Sequence, residues 1–159
     1  MYLVYTNQKV SAFMSKIVFY EGKNGCSPLF FKVLQDKINI VCERIGFDDS
    51  GVLWIIFNPV SRYRNTIHHA ILGGSCGMDY GFTIPDMNQI WISTRAISSE
   101  KWLPTTKVMG DLLWKSASRD LLTDVILDEI THIQTGLDHG DEDYEYRLKV
   151  NVVKCYFHR

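Results

Sequence analysis

Between residues 29 and 45, Phe30, Val33, Leu34, Ile38, Val41 and Ile45 recur at steps of three and four. That period puts them on one face of a helix, and Gly46 stands where a left-handed residue ends one. After Asp48-Asp49-Ser50-Gly51 the pattern becomes an unbroken apolar run over 52–57, which reads as a buried strand stopped by Asn58-Pro59. Residues 80–84 and 89–93 read as two strands around Pro85-Asp86-Met87-Asn88, a segment of turn formers. Helical spacing runs from Val108 to Gly136, with a break expected near Ser116 to Ser118. A last helix starts after Asp141, with Tyr144, Leu148 and Val152 on one stripe and Cys155 a short step on. Residues 2–20 mix β-branched and aromatic side chains and fit strand or helix. Residues 21–28 and 103–107 read as loop, and 61–77 has no clear period.

This order predicts an α+β fold, with helices packed on a mostly antiparallel sheet. At 159 residues and 46% hydrophobic, the chain reads as one domain over 1–159, its first 28 residues of uncertain structure. A core of that size needs no disulfide or structural metal, so a metal would be there for chemistry. Lys and Arg number 17 against 18 Asp and Glu, so no single-sign field points to nonspecific nucleic-acid or membrane-surface binding. No apolar run reaches the roughly 18 residues a membrane span requires. Cys26, Cys42, Cys76 and Cys155 form no C-x-x-C pair, and residues 1–9 lack a basic n-region. Reduced thiols and a cytoplasmic location are expected.

The segment 124–140 carries the chemistry. Asp128 and His132 are four residues apart and share a helix face, while Leu122, Val125, Ile126, Ile130 and Ile133 supply an apolar one. Gly136 ends the helix and turns the chain, so that His139 returns toward the same place. The pattern D-E-x-x-H-x-x-T-G-x-D-H-G is one residue from the H-E-x-x-H zinc-peptidase motif, in which two histidines hold zinc and the glutamate is the general base. In that frame His132 and His139 are metal ligands, Glu129 is the base, and Asp128 stands where the first histidine would.

The segment resembles the SprT-like zinc metallopeptidases, above all their compact phage and bacterial members. Their motif is followed by H-G seven residues after the second histidine. Here His139-Gly140 follow His132 at that spacing, with Gly136 between them. The stretch Gln89-Ile90-Trp91-Ile92-Ser93-Thr94-Arg95-Ala96-Ile97 looks like the edge strand that precedes the family's active-site helix. The resemblance covers roughly residues 29–157. It implies a small zincin-like domain that hydrolyses peptide bonds in a protein or peptide through a metal-bound water, with Glu129 as general base. It also implies a location in the host cytoplasm if the chain is phage-encoded, and a nucleic-acid partner by family resemblance alone. The alternative is a weak or inactive member that binds a protein segment, by strand addition near Ile90 to Ser93.

The aspartate alters the expected site. It is shorter than histidine, and its charge makes a bound water less acidic. Two histidines and a carboxylate suit Zn2+ and also Fe or Mn. A histidine at 128 is expected to raise zinc affinity. Asp138 is a rival third ligand, but its spacing from the glycine fits less well than that of His139. Tyr144, Tyr146 and Arg147 are candidates to stabilise an oxyanion.

Other features have plainer readings. Adjacent His68 and His69 on a strand point to opposite faces and do not share an ion. Arg62-Tyr63-Arg64 is too small a basic patch to mark a nucleic-acid surface. Trp54, Trp91, Trp102 and Trp114 read as core or groove wall. Asp141, Glu142 and Asp143 suit the first turn of the last helix, where the helix dipole favours negative charge.

Overall fold

A computed structural model describes residues 15–20, 27–58, 80–98 and 120–157. The element order is β1 (Lys16–Phe19), α1 (Pro28–Ile45), β2 (Leu53–Phe57), β3 (Gly81–Ile84), a 3-10 turn (Pro85–Met87), β4 (Gln89–Ser93), α2 (Thr94–Ser98), α3 (Leu121–Thr135) and α4 (Glu142–Tyr156). The expectations for 61–77 and 103–107, and for His68, His69, Arg62, Arg64, Trp102, Trp114, Cys26 and Cys76, lie outside the described residues.

The fold is α+β, and the described residues form a four-stranded sheet in the order β1-β2-β4-β3. The sheet is mixed, which corrects the expectation of a mostly antiparallel one. β1 pairs with β2, and β2 with β4, in parallel; only β3 and β4 are antiparallel. For β1 and β2 the reason is α1, which carries the chain from β1 back to β2 as the crossover that parallel neighbours require. β2 is apolar at every position because it is covered on both faces, the usual state of a parallel strand. A second correction concerns the edge. Residues 89–93 form an interior strand and 94–98 turn helical, while the edge beside α3 is β3.

Local signals place the helices. Ser27 accepts from the Leu29 N–H at the start of α1, Pro28 takes the first turn, and Gly46 closes the helix at φ 72°. α3 starts at Asp120, whose Oδ1 accepts from the Thr123 N–H at 2.7 Å. Lys37 on α1 reaches the same carboxylate at 3.3 Å. Asp141 caps α4, and Glu142 and Asp143 fall in its first turn, as their positions predict.

The sheet divides the apolar residues in two. Ile17, Trp54, Ile56, Ile90 and Ile92 face the helices and pack with Leu34, Ile38, Leu122, Ile126 and Ile130. Val18, Ile55, Phe57, Phe82 and Trp91 form a second cluster on the other face, where Phe82 and Trp91 stack with centroids 5.2 Å apart. Trp54 and Trp91 are buried, as expected of core residues.

Gly81 sets how closely β3 approaches α3. A Cβ there would lie 2.9 Å from the Trp91 carbonyl oxygen and 3.0 Å from Val125 Cγ1. The first obstacle is backbone and cannot rotate away. Gly81→Ala is expected to destabilise the protein by about 1–3 kcal/mol, the range for overpacking a tight site. Urea denaturation checks it, and an unchanged midpoint would show that the sheet edge yields.

Candidate metal centre

The site is built on α3 and on the turn that leaves it. The helical period brings Asp128 and His132 to one face, with Asp128 Oδ1 and His132 Nε2 4.0 Å apart. Gly136, at φ 70°, ends the helix in the left-handed conformation and bends the chain back. His139 Nε2 then lies 3.3 Å from His132 Nε2 and 3.5 Å from Asp128 Oδ1. One ligand atom from each residue falls within 4.8 Å of the others, and no other such group occurs among the described residues. Asp138 lines the cleft but is outside this group.

The same turn orients His132. Its Nδ1 lies 2.8 Å from the Leu137 carbonyl oxygen. A carbonyl only accepts, so Nδ1 carries the proton and Nε2 presents its lone pair toward Asp128 and His139. Tetrahedral zinc with bonds near 2.0–2.1 Å sets its ligand atoms about 3.3–3.4 Å apart. Two of the three separations lie close to that spacing, and the third, from Asp128 Oδ1 to His132 Nε2, is longer at 4.0 Å. Two imidazoles and a carboxylate form a catalytic zinc set that leaves a fourth position open, and Fe or Mn takes the same donors.

Glu129 follows Asp128 but points toward the sheet and is 6% exposed. Thr83 on β3 places its Oγ1 2.6 Å from Glu129 Oε1 and 3.2 Å from the Glu129 carbonyl oxygen. Burial, then the neighbouring Asp128 charge, push the Glu129 carboxyl up to about 8, against the Thr83 hydrogen bond. Burial also raises Asp128, and the two histidines oppose it.

A cleft of about 410 Å3 opens over these groups, with Tyr80, Gly81, Thr83 and Pro85 on the strand side and Val125, Asp128, Glu129, His132 and His139 on the helix side. Two contributors escape sequence reasoning. Thr83 lies 46 positions from Glu129, and no local period links them. Tyr144 is legible as a stripe residue of α4 and as a candidate to stabilise an oxyanion, but its role toward the donors is not: its hydroxyl donates to Asp128 Oδ1 and its ring stacks on His132 at 4.5 Å. That contact makes Tyr144 part of the site's inner wall.

No protein-family model matches the sequence, and no curated protein matches it.

Proposed function

We propose that this chain is a metal-dependent peptidase of SprT-like, zincin-like type that hydrolyses peptide bonds in a protein or peptide substrate. The observation that carries the reading is the junction of two groups. Asp128, His132 and His139 converge within 4.8 Å, and the buried carboxyl of Glu129 follows directly on the same helix, both opening on one cleft. Zinc held by the three donors would supply a Lewis acid for the carbonyl and lower the pKa of a coordinated water.

The residues of the chain perform the remaining steps. Glu129 takes the proton of the attacking water and passes it to the leaving amine. Thr83 holds the Glu129 carboxyl by one oxygen, 2.6 Å away. Strand β3 pairs only with β4 among the described elements, so its other edge offers backbone groups to an extended peptide. A substrate added there as a strand would lie beside Thr83 and over the donors, with main-chain hydrogen bonds setting its register.

The same edge supports the second reading, a scaffold that binds a protein segment without cutting it. Asp128 in place of the motif histidine is what favours it. Among the described residues no helix is long and apolar enough to cross a membrane. A phage source, with the host-cytoplasm setting it implies, and any nucleic-acid partner rest on the resemblance alone.

The test is cleavage of an unfolded protein by the full chain loaded with zinc, iron or manganese in turn. The expected result is cleavage that stops with a chelator and returns when the metal is restored. A metal-loaded protein that retains the unfolded chain intact would replace the peptidase reading with the binding one.

A further inference from the structure

We propose that Tyr144 and Asp128 are a matched pair: the tyrosine hydroxyl positions the carboxylate for the metal, and position 128 is an aspartate because of that hydroxyl. The inference rests on the metal-centre reading above and deepens it.

Tyr144 comes from α4 and is fully buried. Its hydroxyl donates to Asp128 Oδ1, the oxygen that faces His132 Nε2 at 4.0 Å and His139 Nε2 at 3.5 Å. It also lies 3.4 Å from the Asp128 backbone carbonyl oxygen. The Tyr144 ring is 4.5 Å from the His132 ring, tilted by 29°, and 4.8 Å from the His139 ring. One buried side chain thus contacts all three donors. His132 is held a second time by the Leu137 carbonyl, whereas Tyr144 is the side chain that steers Asp128.

The pairing explains the residue type at 128. A carboxylate has two oxygens and about four lone-pair sites, so it accepts the Tyr144 hydroxyl and keeps lone pairs for an ion. An imidazole reaches further, into the space the hydroxyl fills, and its metal-facing nitrogen has a single lone pair. On sequence alone Asp128→His promises tighter zinc binding. With Tyr144 in place the expected direction reverses.

The experiment measures zinc affinity, by competition with a chromophoric chelator, for the wild type, Tyr144→Phe, Asp128→His and the double variant. Tyr144→Phe retains the ring and is expected to weaken zinc binding about 10–100-fold, the usual effect of losing a partner that orients a ligand. Its Co2+-loaded form should show a shifted visible spectrum, which a purely structural role would leave alone. Asp128→His should bind zinc more weakly than the wild type, and the double variant more tightly than Asp128→His. If Asp128→His does not fold, Tyr144→Phe decides alone.

Wild-type affinity in Tyr144→Phe, or tighter zinc in Asp128→His with Tyr144 present, overturns the pair. A tyrosinate charge-transfer band in the Fe3+-loaded wild type does so too, because Tyr144 would then be a ligand itself. Affinity and cleavage are read separately. The expected affinity pattern without cleavage supports the pair and removes the peptidase. Cleavage with affinity indifferent to Tyr144 supports the peptidase and removes the pair.

Discussion

Glu129→Gln is expected to abolish peptide cleavage while leaving fold and metal content unchanged. The amide has nearly the shape of the carboxyl, and its oxygen still accepts from Thr83, which lies 2.6 Å from Glu129 Oε1. It cannot take a proton from water. Removing a positioned general base costs typically 10²–10⁴ in rate, so cleavage should fall by about that factor. Cleavage equal to wild type in a metal-loaded variant would take the base role away from Glu129.

The same substitution should alter how stability depends on pH in the metal-free protein. Burial raises the Glu129 carboxyl from 4.5 to about 8 on folding. The folded state therefore binds this proton more tightly than the unfolded state. Its contribution to stability is complete below the unfolded value and is lost as pH rises through the folded one. Wild-type stability should decline across that window, and the decline should be shallower in Glu129→Gln. Urea denaturation of metal-free protein at several pH values measures the difference. Parallel curves for the two proteins would mean that the carboxyl titrates in solution as a free acid does. A divalent cation held at the neighbouring proposed donors would bring positive charge beside the carboxyl and lower its pKa, which would make the proposed base available near neutral pH.

The second large effect is expected from His132→Ala/His139→Ala. The two imidazole nitrogens are 3.3 Å apart and are two of the three proposed donors. Without them Asp128 is a single carboxylate, which does not make a zinc site. The loss should exceed the roughly 10–100-fold that removing an outer partner costs. Metal analysis after gel filtration should fall from about one ion per chain to none. Circular dichroism is the control for folding, since His132 also bonds the Leu137 carbonyl and stacks on Tyr144. Equal metal in the wild type and the double variant would end the three-donor assignment.

Much of this site is written in local pattern. The spacing of Asp128 and His132, the glycine at 136 and the histidine at 139 specify a helix, a stop and a return, because each depends on residues within a turn or two of one another. The same holds for the stripe of α1, the cap at Gly46, the turn at Pro85 to Asn88 and the acidic start of α4. Strand direction is a different kind of quantity. The apolar run of β2 is compatible with parallel or antiparallel neighbours, and the crossover of the chain through α1 is what makes β1 and β2 parallel. Which strand lies at the edge follows from the order of the sheet, and so β3, not β4, borders the cleft. The contacts of Thr83 with Glu129 and of Tyr144 with Asp128 join residues on separate elements. They exist because Gly81 lets β3 approach α3 and because α4 lies along the same helix, and no period in the chain encodes a distance between two packed surfaces.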